Sequence, residues 1–282
     1  MIKLTTPVGI PPSLVKISLK DKIVLLGSCF ADAVGAKMLS AGYDALVNPF
    51  GTLYNPLSIY NAAARLGSAL PFTEKDCVQM GAGAGLFCSF SHHSSFAAPG
   101  REEFLAGANA SLEKASAFWK DAGKVFITLG TSMIWKRLDS GETVANCLKR
   151  PASEFSHEML SCGQISAILR ALVQSNPGKE FIFSVSPIRY LSEGARSNTL
   201  SKARLHLALE EIGAEYFPAC EILLDELRDY RFYAEDLVHP SKVAEEIIWR
   251  RFLETYALPD ESEAVSANEK AARRAAHRPL RK

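Results

Sequence analysis

A short stretch near the N-terminus, residues 23–26 followed by Gly-Ser-Cys-Phe-Ala at 27–31, limits the fold of this chain most narrowly. The β-branched and leucine run at 23–26 predicts a buried strand, and Gly27 marks the turn at which it ends. Residues 33–39 then predict a helix. Ser28 is therefore expected at the carboxyl end of a parallel sheet, where ligands bind in open α/β folds. Its hydroxyl either caps the helix or lies exposed beside the helix N-terminal amides.

Strand and helix patterns alternate along the chain in the way that βαβ units require. Further strands are predicted at 43–47, 124–129 and 180–186, and further helices at 57–66, 102–122, 163–175, 201–212 and 243–256. This alternation predicts one domain over residues 1–257, an α/β fold built as a three-layer α/β/α sandwich around a parallel sheet. Residues 77–90 and 133–148 interrupt the rhythm, and we interpret both as hairpin insertions; residues 214–217 predict a short edge strand.

The charge of the chain is unevenly distributed. The net charge is +1, with 32 basic and 31 acidic side chains, but six of the basic residues lie in 270–282, a segment that has no acid. The rest of the chain therefore carries 26 basic against 31 acidic residues. A nucleic-acid surface needs basic charge clustered on the fold itself, so we expect no nucleic-acid partner. The polar, basic tail at 258–282 is predicted to be disordered or marginally helical.

The cysteines and the apolar segments indicate the cellular setting. No stretch approaches the length of a membrane span, and residues 1–7 lack the apolar core of a signal peptide. The six cysteines form no Cys-x-x-Cys pair and have no His at zinc spacing. They are predicted to be reduced thiols in a cytoplasmic protein, with no structural metal.

A second informative stretch, residues 234–241, contains Asp236 and His239 just before the last predicted helix. Residues three apart in a tight turn can face the same side, so the carboxylate can bond one imidazole nitrogen and leave the other free as a general base. The alternative is that Asp236 caps the helix and His239 is an ordinary surface side chain.

A Ser on the first strand-to-helix turn, together with Asp-x-x-His near the C-terminus, resembles the SGNH (or GDSL) hydrolases. Gly27-Ser28-Cys29-Phe30 stands where that superfamily has Gly-Asp-Ser-Leu, which moves the Ser one position toward the strand. More of the chain resembles the GSCFA family, named for the five residues found here at 27–31. The matching stretches lie at 48–58, 128–131, 146–147, 186–189 and 231–241, while Leu148 and Tyr190 stand where a His is common in that family.

The resemblance implies an SGNH-like fold and a serine esterase or acyltransferase that needs no metal or organic cofactor. Ser28 would attack an acyl ester of a small molecule or glycan, His239 would move the proton, and Asp236 would orient His239. The amides of Ser28 and Gly51 are the expected oxyanion donors. SGNH enzymes usually supply a third donor from an Asn after the central strand, and the candidates here are Thr131, Ser132 and Asn146.

Three further residues have two interpretations each. His93 is expected either in the wall of a pocket or in a plain surface loop. Arg189 is expected either to meet an anionic substrate group or to pair with a nearby acid. Cys29 packs against the sheet or acts as a nucleophile beside His239. For the whole chain, the alternative to an enzyme is a ligand-binding module on the same scaffold. A weaker hypothesis places the basic tail on an acidic partner or a membrane surface.

Overall fold

The computed structural model of the chain describes residues 5–81 and 85–276. In this part the strands are β1 (Lys22–Gly27), β2 (Asp44–Val47), β3 (Val78–Gln79), β4 (Phe87–Cys88), β5 (Lys124–Leu129), β6 (Met133–Arg137), β7 (Thr143–Val144), β8 (Phe155–Met159) and β9 (Glu180–Val185). The central sheet is parallel, in the order β2-β1-β5-β9. The predicted parallel sheet is confirmed.

Helices cover both faces of this sheet. They are α1 (Cys29–Ser40), α2 (Pro56–Ser68), α3 (Arg101–Asp121), α4 (Cys162–Gln174), α5 (Gly194–Glu211), α6 (Ala219–Glu221), α7 (Lys242–Tyr256) and α8 (Ser262–Ala276). A π-helical turn, Ile222–Leu227, continues α6, and short 3-10 turns lie at Ser94–Phe96, Ala152–Glu154, Tyr230–Phe232 and Pro259–Glu261. The predicted three-layer α/β fold is therefore confirmed.

Strand β1 shows why its sequence is a continuous apolar run rather than an alternating one. Val24 and Leu26 belong to the core beneath α2–α5, whereas Ile23 and Leu25 belong to the core beneath α1 and α7. Successive side chains of a strand point to opposite faces, so a strand covered on both sides has no polar positions.

The two predicted hairpin insertions are present. Strands β3 and β4 pair antiparallel, although residues 82–84 of the predicted turn lie outside the described residues. Strand β6 pairs antiparallel with β7, and β8 adds a third strand that the sequence pattern did not predict. Residues 214–217 make an isolated parallel bridge, Phe183 with Tyr216, in place of the predicted edge strand.

Of the two predicted alternatives for the C-terminal segment the structure has a helix, because residues 262–276 form α8, while residues 277–282 lie outside the described residues. The Glu269 carboxylate accepts hydrogen bonds from Trp249 Nε1 at 2.8 Å and from Arg250 Nη2 at 2.7 Å, both on α7. Asn268 Nδ2 donates to the Ala41 carbonyl, at the end of α1. These contacts join residues far apart in sequence, so local composition does not indicate them. No helix in the described ranges is long and apolar enough to cross a membrane.

Candidate active site

The carboxyl ends of β1, β5 and β9 meet at one edge of the sheet, where β1 turns into α1. Gly27 makes this turn with φ of +147°, a conformation that favours glycine. A Cβ at this position would lie 2.3 Å from the Thr128 carbonyl oxygen, so only glycine fits against β5. The Ser28 amide then donates to the Thr128 carbonyl at 3.1 Å, and the chain enters the helix.

Ser28 is the N-cap of α1, and its side chain is 1% exposed. The hydroxyl accepts a hydrogen bond from the Phe30 amide at 3.2 Å and donates to Ser186 Oγ at 3.0 Å. It also lies 3.1 Å from Thr128 Oγ1. The cap interpretation of Ser28 thus matches the geometry, and these bonds fasten the start of α1 to the ends of β5 and β9.

The next residue, Cys29, lies against the predicted base. Cys29 Sγ lies 3.3 Å from His239 Nε2, and His239 Nδ1 lies 2.6 Å from Asp236 Oδ2. Sulfur, imidazole and carboxylate are therefore joined in one row, with the thiol and the acid on opposite nitrogens of the ring. The structure brings Asp236 and His239 together as predicted from their spacing, and it places a sulfur rather than the Ser28 hydroxyl at the free nitrogen.

The carboxylate of Asp236 organises the turn that carries His239. Its Oδ1 accepts hydrogen bonds from the amides of Val238 and His239, each at 2.9 Å. These two bonds and the one from the imidazole lower the pKa of Asp236 from 3.8 to about 2. An ionised carboxylate can only accept, so it holds the proton of the imidazole on Nδ1 and leaves Nε2 as an acceptor for the thiol.

The Cys29 thiol is protonated at rest. Burial raises its pKa from 9.0 to about 11, an effect opposed by the amides of Cys29 and Phe30 and reinforced by the negative charges of Asp32 and Asp236. The amides belong to the first turn of α1, where backbone N–H groups have no partner within the helix. His239 Nε2, at 3.3 Å, is the basic group in contact with this thiol.

The model of the GSCFA family matches residues 22–252, which include the turn at 27–29 and the Asp-His turn. The chain belongs to the GSCFA family. No curated protein matches it with significance.

In this GSCFA chain, the amides predicted to hold an oxyanion have other acceptors. The Ser28 amide donates to Thr128, and the Gly51 amide donates to the Asn48 carbonyl at 2.7 Å within its own loop. Gly51, with φ of +81°, lies so close to His93 that a Cβ would be 2.3 Å from the His93 Cβ. A glycine is therefore needed at position 51 because its backbone packs closely against His93, and not because its amide is free to bind an oxyanion.

Of the three candidates for the third donor, Thr131 and Ser132 are also engaged. Thr131 and Ser132 are buried, and both bond Ser201 of α5. The Thr131 amide donates to the Tyr54 carbonyl. Asn146 accepts from the Leu148 amide at 2.7 Å, an Asx turn in the loop after β7. The first-turn amides of Cys29 and Phe30 lie close enough to the sulfur to oppose the rise in the pKa of its thiol.

His93 and Arg189 hold loops of the GSCFA fold in place. The His93 amide donates to the Phe50 carbonyl, and its Nδ1 caps the turn at 94–96. Arg189 donates to the Leu237 carbonyl from its guanidinium, which also lies 5.6 Å from the centre of the Tyr233 ring. The Arg189 amide donates to the Val238 carbonyl, so this residue anchors the turn that carries His239.

Two residues near the sulfur were not singled out from the sequence. Asp32 lies one turn after Cys29 on α1, its carboxylate accepts from Asn48 Nδ2 at 2.6 Å, and burial raises its pKa. Tyr54 has its pKa raised mainly by burial, with Cys29 and Asp32 contributing. The spacing of three residues from Cys29 to Asp32 predicts that the two side chains lie on the same face of the helix. Within the described ranges, no three His, Cys, Asp or Glu residues cluster in a metal-binding arrangement.

Proposed function

We propose that this protein catalyses acyl transfer through Cys29, with His239 as general base and Asp236 as the group that orients it. The observation that carries the proposal is the contact of 3.3 Å between Cys29 Sγ and His239 Nε2, on a ring whose other nitrogen lies 2.6 Å from Asp236. A nucleophile, a base within reach and a third group that orients the base are the signature of nucleophilic catalysis.

The position of Cys29 in the motif supports the same assignment. In the SGNH motif Gly-Asp-Ser-Leu the nucleophile is the third residue, and the third residue of Gly27-Ser28-Cys29-Phe30 is the cysteine. On this proposal the fold is SGNH-like and the nucleophile keeps its place, with sulfur in the role of oxygen. Ser28 then takes the second position and serves as the helix cap.

The reaction begins with a protonated thiol. His239 Nε2 takes the proton of Cys29 as the sulfur attacks the acyl carbon, and the carbonyl electron pair moves to oxygen. The Cys29 amide and the positive end of α1 stabilise this oxyanion. When the electron pair returns, the bond to the leaving oxygen breaks, and the leaving group takes the proton from His239. The product of this half-reaction is a thioester on Cys29.

The second half-reaction releases the acyl group. His239 takes a proton from water or from an acceptor hydroxyl, whose oxygen attacks the thioester carbon. The sulfur leaves and takes the proton back, so an acid or a new ester is formed and the thiol is restored. The substrate we propose is an acyl ester of a small molecule or glycan.

Trapping the acyl group tests the proposal. The protein is incubated with p-nitrophenyl acetate, quenched with acid and mapped by mass spectrometry. We expect one acetyl group on Cys29, removable by hydroxylamine as a thioester is, and absent from the His239→Gln variant.

Cys147 is the matched control, because it is also half-buried and burial also raises its pKa to about 11. It lacks the imidazole contact in the described structure, so it should stay unmodified. Acetyl on Ser28 instead would restore the serine mechanism, and acetyl on Cys29 and Cys147 alike would mean that His239 activates neither.

The ligand-binding module is a second candidate function, favoured by the amides of Ser28 and Gly51 that already have acceptors. It predicts that no acyl group accumulates on any residue, and that the protein has no turnover even with Cys29 and His239 intact.

A further inference from the structure

A cavity lies beside the turn that carries His239. Its volume is about 340 Å³, within the range of small-molecule sites. The loop after β9, the first half of α5, the π-helical turn and the 3-10 turn at 230–232 form its walls. Both halves of the candidate active site border it. Pro187 of its lining follows Ser186, which bonds Ser28, and Arg189 bonds the turn at 236–239.

The charged groups of this cavity are mainly basic. Three of its lining residues are cationic and one is acidic; they are Arg189, Lys202, Arg228 and Asp229. This excess is opposite to the balance of the chain outside 270–282, which has 26 basic against 31 acidic residues. Cations gathered in a concave site attract anions, because the low-dielectric walls concentrate the electric field there.

The one acid of the lining is already paired. Asp229 Oδ1 accepts hydrogen bonds from the amide and the Nε of Arg231, at 2.8 and 3.0 Å. These bonds lower the pKa of Asp229. Arg231 does not line the cavity, so its guanidinium offsets the negative charge of Asp229 from outside and leaves the cations of the lining unopposed by this acid.

Two of the three cations are not placed to bind a ligand directly. Lys202 is buried, and its Nζ donates to the Ser186 carbonyl at 2.6 Å. Arg228 lies 3.8 Å from Asp225, and both side chains are largely open to water. Direct contact with a ligand is therefore left to Arg189.

The guanidinium of Arg189 is fixed in place and has no carboxylate partner. Its Nη1 donates to the Leu237 carbonyl at 3.1 Å, and the group lies 5.6 Å from the centre of the Tyr233 ring. No carboxylate of the described residues forms an ion pair with it, and the residue is partly exposed in the cavity wall, so a ligand can reach it. The remaining N–H groups form a planar fork that matches two oxygens of one anionic group.

The rest of the lining is largely apolar. It includes Leu191, Leu223 and Leu224 and the side chains of Tyr230 and Tyr233. Leu224 is 44% exposed and Tyr230 is 65% exposed, so much of their surface is open to a ligand. Covering such surface with an apolar group is favourable. A ligand that uses both features of the cavity has an anionic group and an apolar body.

We propose that this cavity binds an organic anion, with a carboxylate or phosphate on Arg189 and an apolar body against the leucines and tyrosines. The Arg189 amide also donates to the Val238 carbonyl at 3.2 Å, next to His239, so the bound anion lies beside the proposed base. The inference that the anion is part of the ester or of the acceptor rests on the function proposed above. Binding of the anion does not rest on it.

Calorimetric titration of the Cys29→Ala protein tests binding without turnover. The probes are phenylacetate and phenyl phosphate, with 2-phenylethanol as the neutral analogue and inorganic phosphate as the anion without an apolar body. We expect saturable binding of phenylacetate or phenyl phosphate that weakens with added salt. Binding of 2-phenylethanol and of inorganic phosphate should each be at least about tenfold weaker. The tighter of the two aromatic anions shows whether the site takes a carboxylate or a phosphate.

Substitutions in the cavity wall test where the anion binds. Arg189→Met should weaken binding about tenfold to a hundredfold, because charge-assisted hydrogen bonds are lost. Since Arg189 also holds the turn at 236–239, Leu224→Glu and Leu224→Lys provide a test that leaves the arginine intact. Both should fold, because Leu224 is 44% exposed. The added charge should weaken binding about twofold to tenfold in the Glu variant and strengthen it by a similar factor in the Lys variant.

Arg196→Gln and Leu207→Glu are the matched controls. Arg196 is an exposed arginine of α5 and Leu207 an exposed leucine of the same helix, and neither lines the cavity. Both controls should leave anion binding unchanged. The proposal is overturned if neither aromatic anion binds, if 2-phenylethanol binds as tightly as they do, or if the two Leu224 variants have the affinity of the Cys29→Ala protein. A protein that binds the anion yet forms no thioester on Cys29 would keep this site and lose the acyl-transfer function.

Discussion

The two halves of the candidate active site are built in opposite ways. The turn at 27–29 is buried and is fastened by hydrogen bonds from Ser28 to Thr128 and Ser186, on two neighbouring strands. The turn at 236–239 is exposed, with side chains about half open to water, and its bonds are mostly local. In the first turn, the residue that holds the structure, Ser28, and the proposed nucleophile, Cys29, are therefore neighbours. The second turn carries the proposed base and contributes little to the rest of the fold.

Replacing Cys29, the proposed nucleophile, should have the largest effect on turnover. We expect Cys29→Ala to lower ester turnover by about 10⁴-fold or more, because removing a group that forms the covalent bond removes the whole pathway. Its stability should change by less than about 1 kcal/mol, since the side chain is only partly buried. Turnover of p-nitrophenyl acetate and urea unfolding measure the two quantities, and Cys147→Ala is the control. Turnover that survives in folded Cys29→Ala would contradict the assignment.

Substitution of Asp236 in the exposed turn at 236–239 should change activity far more than stability. Asp236→Asn should lower turnover by about 10²- to 10³-fold, because an amide no longer holds the proton on Nδ1 and Nε2 loses its role as base. The urea midpoint should move little, since the residue is exposed and the Asn oxygen can still accept from the Val238 and His239 amides. A Glu235→Gln variant, one residue away, should keep full activity. If both variants behave alike, Asp236 has no special role.

The buried turn should respond mainly in stability. Ser28→Ala should cost about 1–2 kcal/mol, because a helix cap and the partner of two buried hydroxyls are lost together. Turnover should fall by no more than about tenfold, through a less fixed Cys29. Ser161→Ala removes the cap of α4, whose capping box lies elsewhere, and should lower stability without any change in activity. If Ser28→Ala lowers turnover as much as Cys29→Ala does, the Ser28 hydroxyl takes part in the reaction and does not only hold the structure.

The smallest expected effect is at low pH. The pKa of Asp236 is about 2 in the folded protein against an ordinary value of 3.8, so the folded state favours the ionised form. Its contribution to stability is therefore complete above about pH 5 and is lost progressively as the pH falls through the folded pKa toward about pH 1. The melting temperatures of wild type and Asp236→Asn should converge over this range. A constant difference would show that the carboxylate is not held by its three hydrogen bonds.

The sequence was sufficient for the parts of the structure that local pattern controls. The runs at 23–26, 124–129 and 180–186 predicted β1, β5 and β9, and the Asp-x-x-His spacing indicated that Asp236 and His239 can face each other, as they do at 2.6 Å. The strands follow from continuous apolar runs bounded by turn residues, and the pairing follows from the reach of residues three apart in a turn.

The pattern did not determine which side chain at 28–29 faces the imidazole. Successive residues at a helix start point about 100° apart, so the choice depends on how the turn at Gly27 sets Ser28 against Thr128, which is 100 residues from Ser28 along the chain. The same applies to the Ser28 amide, because its acceptor on β5 becomes known only when the turn is packed against that strand. Such contacts between distant segments also hold α8, where composition alone did not decide between disorder and a helix.

The raised pKa of Cys29 has a consequence for the chemical durability of the protein. A thiol with a pKa of about 11 is ionised in only about one molecule in 10⁴ at pH 7. Peroxides and alkylating agents attack the thiolate, so a cysteine in this state is slow to be oxidised or blocked. On the proposed mechanism, in which His239 deprotonates Cys29 only during attack, the nucleophile is thereby shielded from oxidants between turnovers.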